Sequence, residues 1–282
     1  VGGSYELPVN PALINFADGG DMKSVELMMK WGYEGVKKFI GGNPVQKIIN
    51  SPRQVQEGLA VDLRACNDYK NGLKAALVYA ARFGEGGDEV GALRAEKLRA
   101  LCKDTGLVIC GPNCMGAMSF PANLLFYPAT RIRGLPVGST GVVFQSGGTF
   151  MFWLQRAAER GLEFSYAVSS GNELNLDLAD YINFLVEDKD TKMIACMVEG
   201  IRRPDAFLEA ARKALEAEKP IVMIKVGRSE AGKEAAQSHT GALSSDDQVL
   251  QAVCKKYGVV RCYTLDEMIE TCLVLNQRRW PK

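Results

Sequence analysis

At 282 residues the chain has room for one large domain or two ordinary ones, and 47% hydrophobic residues are ample for a packed core. Its 34 basic and 33 acidic residues leave a net charge of +1, which gives no electrostatic reason to expect nucleic acid or a membrane surface as a partner. The longest apolar runs, such as Ile221–Ile224, are far too short to span a bilayer, and no basic-then-apolar signal segment opens the chain. Eight cysteines, at 66, 102, 110, 114, 196, 254, 262 and 272, form no C-x-x-C pair, and a single histidine accompanies them. That composition points away from a zinc site and toward reduced thiols in a cytoplasm.

The chain opens at Val1-Gly2-Gly3-Ser4 without an initiator Met and is read as a fragment or as lacking residues upstream. Up to Gly72 the pattern is weak, broken by Gly19-Gly20, Gly41-Gly42, Asn43-Pro44 and Ser51-Pro52. Ala75–Tyr79 and Leu107–Cys110 then read as two parallel strands, with a helix over Leu93–Asp104 between them. Gly134–Thr140 (GLPVGST) has the content of a linker, which divides the chain into 1–134 and 135–282. The second part is the more regular. Strands are predicted at Gly141–Gln145, Ser165–Ser169, Lys192–Val198, Ile221–Val226 and Val259–Cys262. Helices are predicted at Phe150–Arg160 (closed by Gly161), Asp177–Val186, Pro204–Glu218, Asp246–Tyr257 and Thr264–Asn276. Thr264 and Glu267 stand at capping-box spacing. Strands alternating with helices imply a parallel sheet covered on both faces, and five strands in this rhythm suggest a flavodoxin-like layer order.

Chemistry-bearing residues fall at the strand ends. In a parallel α/β fold these ends form the edge where ligands bind. Ser146-Gly147-Gly148-Thr149 lies between a strand and a helix. Its glycines let backbone N–H groups converge, and the helix start carries partial positive charge, a design suited to phosphate. A tight turn needing glycine for geometry alone is the competing reading. Phe144 stands where a hydrolase nucleophile elbow would need Gly, and no Gly-Lys-Ser/Thr completes a Walker loop. Gly111-Pro112-Asn113-Cys114-Met115-Gly116 follows another strand, with Asn113 offering an amide. Ser170-Gly171-Asn172-Glu173, Val198-Glu199-Gly200 and Val226-Gly227-Arg228-Ser229 end three more. The lone histidine follows in Gln237-Ser238-His239-Thr240-Gly241-Ala242-Leu243. A neutral imidazole can accept and pass on a phosphoryl group, and Glu199 could hold one ring nitrogen while the other attacks. A satisfied loop histidine and a solvated glutamate are the plainer readings of the same residues.

Together these segments, with Asp177-Leu178-Ala179-Asp180, Lys219-Pro220 and Lys225-Val226-Gly227-Arg228, resemble the nucleoside-diphosphate-forming acyl-CoA synthetases, the superfamily of succinyl-CoA synthetase. The resemblance runs from about Lys74 to the C-terminus. It implies an α/β fold with a Rossmann-like CoA-binding domain over 1–134 and a flavodoxin-like CoA-ligase domain over 135–282. It also implies an acid–thiol ligase that makes an acyl-CoA from a carboxylic acid, CoA and ATP or GTP, through a phosphohistidine and an acyl phosphate. His239 matches the phosphorylated histidine and Glu199 the glutamate that steadies it. Ser146, Gly147, Gly148 and Thr149 match the helix start that cradles the phosphoryl group. Asn113, Cys114 and Gly116 match an active-site loop. Gly2 and Ser4, with Asn10 and Pro11 of Leu7-Pro8-Val9-Asn10-Pro11, are the candidate CoA contacts, although this opening departs from the family pattern.

The resemblance further implies an ATP-grasp domain or subunit that binds the nucleotide and Mg2+, and an oligomeric assembly. No ATP-grasp sequence lies within the chain, and the ending Arg278-Arg279-Trp280-Pro281-Lys282 reads as a cut in a linker. Phe126, Phe150, Phe152 and Trp153 are candidates either for an aromatic-acid pocket or for the core. The identity of the acid stays open. A non-catalytic module that binds CoA or acyl-CoA and regulates another enzyme is the alternative, as is a flavodoxin-like domain holding a flavin.

Overall fold

The computed structural model describes residues 46–49, 75–85, 87, 89–122, 124–125, 134–227 and 247–277. Three parallel strands, β1 (Gln46–Ile49), β2 (Ala75–Val78) and β3 (Val108–Cys110), form one sheet in the order β1-β2-β3. β1 lies where the sequence pattern was too weak to read. Helix α1 (Glu89–Thr105) connects β2 to β3 and starts four residues before the expected Leu93. Its buried positions, Gly91, Ala95, Leu98 and Cys102, recur every three or four residues and so make one face.

The second sheet has seven strands. In chain order these are β4 (Gly116–Ser119), β5 (Leu124–Leu125), β6 (Val137–Phe144), β7 (Phe164–Ser169), β8 (Met193–Val198), β9 (Ile221–Lys225) and β10 (Val260–Cys262). The helices are α2 (Gly147–Glu159), α3 (Leu178–Glu187), α4 (Pro204–Glu216), α5 (Asp247–Lys256) and α6 (Leu265–Asn276). The spatial order is β10-β9-β8-β6-β7-β4-β5. The five parallel strands therefore run 2-1-3-4-5 by chain position, the flavodoxin-like order expected, and β6 is the middle strand of the seven. The strands are buried on both faces. Val143, Ile194, Cys196 and Met223 pack against α3, α4 and α5, whereas Val142, Phe144, Ala195 and Val222 pack against α2 and α6. Among the described residues seven cysteines are free and buried, consistent with packing as small hydrophobes.

Three details differ from the sequence reading. First, residues 137–140 of the expected linker are the first half of β6. A Cβ at Gly138 would stand 2.2 Å from the Glu163 Cβ, so this glycine permits a close approach inside the sheet instead of supplying flexibility. Second, β4 and β5, upstream of that stretch, pair antiparallel onto the β7 edge of the larger sheet. Third, α2 begins at Gly147, within the expected turn. At α6, Thr264 accepts the Glu267 N–H at 3.0 Å as expected for an N-cap, but the Glu267 carboxylate takes the N–H of Tyr263, one residue before the cap. Lys219 donates to the carbonyls of Leu185, Val186 and Asp188 and so closes the C-terminal end of α3.

Candidate functional site

The carboxyl ends of β6, β7, β8 and β9 lie side by side in the larger sheet, because all four strands are parallel and registered through Phe144, Ser169, Met197–Val198 and Lys225. The turns that follow are tied together by one side chain, Gln145. Its Oε1 accepts the N–H of Glu199 at 2.5 Å and of Gly200 at 3.0 Å. Its Nε2 donates to the Gly200 carbonyl at 2.7 Å and to Glu173 Oε2 at 2.8 Å. The ends of β6, β7 and β8 are thus one bonded unit. Lys225, buried at the end of β9, donates to the Glu199 carbonyl at 2.9 Å and to the Val226 carbonyl, which joins the fourth strand.

Helix α2 starts at this edge. Ser146 is its N-cap by backbone shape, yet its hydroxyl bonds to Thr149 Oγ1 at 3.1 Å and makes no side-chain cap to a backbone N–H. The first turn holds no acidic residue, and Gly148 is exposed with no heavy atom near where a Cβ would stand. A helix start in this state offers N–H donors and partial positive charge. Gly147 is crowded instead: a Cβ there would meet Met115 Cγ at 2.6 Å. That contact seats the loop after β3 against α2, and the Met115 N–H also donates to Ser169 Oγ at 3.0 Å.

The loop 111–116 is locked from several directions. Asn113 has φ +55°, its N–H donates to the Ala80 carbonyl at 2.9 Å, and its side-chain amide donates to Asn172 Oδ1 at 3.2 Å. Gly171, φ +63°, lies so close that a Cβ would stand 2.3 Å from the Pro112 carbonyl oxygen. Asn172 also donates to Glu85 at 2.8 Å and accepts from Arg202 at its carbonyl at 2.9 Å. The Cys114 thiol points inward, toward the carbonyls of Val78 (3.4 Å) and Cys110 (3.7 Å), and is buried. The adjoining Cys110 thiol and burial push it well above its ordinary pKa. Cys114 therefore supports the loop from beneath, and its thiol does not face a ligand. A Cβ at Gly116, φ +77°, would strike the Tyr79 ring at 2.9 Å.

Glu173 carries a strongly perturbed carboxyl. It is buried, has φ +51°, and accepts from Ser170 Oγ at 2.7 Å as well as from Gln145. Burial pushes its pKa up to about 8, helped by the Asp177 charge and opposed by the bonds from Ser170 and Gln145. Neither Glu173 nor Gln145 stands out in the sequence as a site residue, although Glu173 lies in a quoted motif and Gln145 ends the predicted strand just before one. A carboxylate and an amide inside glycine-rich strand-end turns were the only available signal.

Of the expected residues, Glu199, Ser146, Gly147, Gly148 and Thr149 come together at one sheet edge, and Asn113 reaches it through Asn172. His239, Gly2, Ser4, Asn10 and Pro11 lie outside the described residues, as does Phe126. Phe150 and Trp153 are wholly buried, and Trp153 packs against Phe144 and Phe164, so both belong to the core and not to an acid pocket. Phe152 is exposed. Among the described residues no group of three His, Cys, Asp or Glu converges as metal ligands, and no helix is long and apolar enough to cross a membrane.

Residues 137–275 match the succinyl-CoA ligase like flavodoxin domain. The chain is 37% identical over 252 residues to a trans-feruloyl-CoA synthase from an unknown prokaryotic organism, which covers 88% of this chain and 34% of that protein. It is 32% identical over 245 residues to the alpha subunit of the ADP-forming acetate–CoA ligase II of Pyrococcus furiosus, covering 87% and 51%. A dinucleotide-forming acetyl-coenzyme A synthetase of Ca. Korarchaeum cryptofilum, solved with phosphate and ADP, superimposes with a TM-score of 0.72 at 27% identity, over 82% of this chain and 48% of that one. The chain therefore spans about a third to a half of the length of these relatives.

Proposed function

Because the chain belongs to the nucleoside-diphosphate-forming acyl-CoA synthetase family, we propose that it is the CoA-binding and CoA-ligase portion of an enzyme that makes an acyl-CoA from a carboxylic acid, CoA and a nucleoside triphosphate. In this reading 1–134 binds CoA and 135–282 carries the phosphoryl relay, with β4 and β5 as an arm of the first part laid on the sheet of the second. The nucleotide and its Mg2+ belong to an ATP-grasp domain or partner subunit, and one relative is itself named as an alpha subunit.

The neutral His239 imidazole attacks the terminal phosphorus of the nucleotide, and the diphosphate leaves. The Glu199 carboxylate accepts the N–H of the other ring nitrogen, which fixes the tautomer and offsets the positive charge that builds on the ring. Backbone N–H groups at Gly147, Gly148 and Thr149, with the Ser146 hydroxyl, receive the phosphoryl oxygens. A substrate carboxylate oxygen then takes the phosphoryl group to give an acyl phosphate. The CoA thiolate attacks its carbonyl carbon, and inorganic phosphate departs. Asn113 lies on the side where the thioester forms, while Gly2, Ser4, Asn10 and Pro11 are the proposed CoA contacts. Cys114 and Gly116 shape the Asn113 loop.

The observation that supports this most is the open start of α2 beside the turn bearing Glu199, with both held in one unit by Gln145. The test is phosphorylation by labelled ATP of the chain in its full-length context or with its ATP-grasp partner. Acid-labile, base-stable label that disappears in His239→Ala is the expected result. A folded, CoA-binding chain that takes no label would sink the relay and favour the non-catalytic regulatory module.

A further inference from the structure

We propose that Glu173 is a positioning residue: through the side-chain amide of Gln145 it fixes the turn after β8, and so sets where Glu199 stands during phosphoryl transfer. The inference rests on the relay described above and concerns a residue that relay does not use.

The orientation of the Gln145 amide is not free. Its oxygen receives two backbone N–H groups, from Glu199 and Gly200, so its nitrogen must be the end that faces the Gly200 carbonyl and Glu173. Both amide hydrogens and the oxygen are thus committed, and a buried amide with every group partnered holds a single geometry. Three of its four bonds go to the turn that bears Glu199. The fourth goes to Glu173, whose other oxygen is held by Ser170. Glu173 is the anchor of the set because its own backbone is pinned. Asn172 N–H donates to the Pro112 carbonyl and Leu174 N–H to the Gly111 carbonyl, which holds the intervening residue at a φ that side chains rarely adopt.

A purely mechanical anchor would be served by glutamine. A carboxyl at this place also titrates, and it does so beside the site. The charged and titratable groups around it are Asp177 at the start of α3, Arg202 after β8, Tyr181 on α3 and Cys196 on β8. In its neutral form Glu173 adds no charge near Glu199. When it ionises, a second buried negative charge appears one amide away from the turn, where it alters the field in which the phosphoryl group moves.

The experiment compares Glu173→Ala and Glu173→Gln with wild type, each as the full chain with its ATP-grasp partner. The first readout is the rate of His239 phosphorylation by labelled ATP between about pH 6 and 9. Glu173→Ala is expected to slow the step by about tenfold or more with KM for ATP unchanged. Glu173→Gln is expected to restore most of the rate and to lack the decline expected of wild type as pH rises through about 8. An unaltered rate in Glu173→Ala, or a glutamine no better than alanine, overturns the proposal.

The second readout is hydrogen exchange at the Glu199 and Gly200 amides, expected to quicken in Glu173→Ala and to stay at the wild-type rate in Glu173→Gln. Unchanged exchange in Glu173→Ala overturns the proposal whatever the labelling shows. Absence of label in wild type counts against the relay, while exchange still decides the positioning role.

Discussion

Two helices start at neighbouring turns of the same domain and are finished in opposite ways. At α3, Asp177 accepts the N–H groups of Ala179 (3.0 Å) and Asp180 (3.4 Å), and Asp180 accepts the Asp177 N–H at 3.1 Å. Arg203 then clasps both carboxylates. At α2, Ser146 spends its hydroxyl on Thr149, two glycines follow, and no carboxylate stands in the first turn. In the proposed relay the contrast separates stability from function. The α3 start satisfies its donors internally and would repel a further anion, whereas the α2 start leaves its donors to whatever binds at the sheet edge.

Making one start resemble the other is the sharpest test. Gly148→Asp puts a carboxylate at the open start of α2, where a side chain has room. Phosphorylation of the full-length protein should fall about 100-fold, while thermal stability holds or rises by up to about 1 kcal/mol. Equal phosphorylation would show that the α2 start does not receive the phosphoryl group.

Stability against pH should report on the Glu173 carboxyl directly. The native state keeps its carboxyl proton up to about pH 8, whereas the ordinary value is 4.5, so native protein binds a proton that the unfolded chain has released between those limits. Wild-type stability should therefore fall as pH rises from about 4.5 to about 8 and level off above. Glu173→Gln should lack that part of the slope in denaturant titrations, and its stability relative to wild type should rise to a plateau reached at about pH 8.

Asp177→Ala undoes the closed start and leaves Arg203 with one partner. We expect a loss of about 2 kcal/mol by chemical denaturation with phosphorylation little changed. Thr264→Ala, at a more exposed cap, should cost about 1 kcal/mol. A large loss of phosphorylation in Asp177→Ala would mean that the two helix starts are not separable.

The parallel core was legible because β6 through β10 and their helices carry strong periodicity and local boundary signals, such as Gly161 after α2 and Thr264 before α6. The edge strands were not. Gly116–Ser119 is a strand of Gly, Ala, Met and Ser with no β-branched residue, and it is made by pairing to Ser169–Tyr166 roughly fifty residues away. Gly138 misled for a related reason: a glycine required by a neighbouring side chain looks, in sequence, like one required by a turn. The same limit applied to the site. Glycine with a polar residue after each strand marked the turns that gather at the carboxyl edge of the sheet, but the bonds that centre them on Gln145 span 28 to 55 positions. A long-range amide clamp leaves no local pattern. Cys114 shows the converse, a residue within a recognisable motif whose side chain turns into the core.

The pairing of β4 with β7 also bears on how the protein can be divided. Among the described residues, β7 is covered on its outer side by β4 alone, a strand that precedes residue 134 in the chain. A fragment beginning at 135 would retain all five parallel strands but leave the backbone donors and acceptors along Tyr166–Ser169 bare. An unprotected edge of buried, apolar residues invites edge-to-edge pairing between copies. Keeping the chain from about residue 107 onward would preserve the covering strand, so a fragment that keeps β7 paired starts well before the point where the glycines and proline suggest a cut.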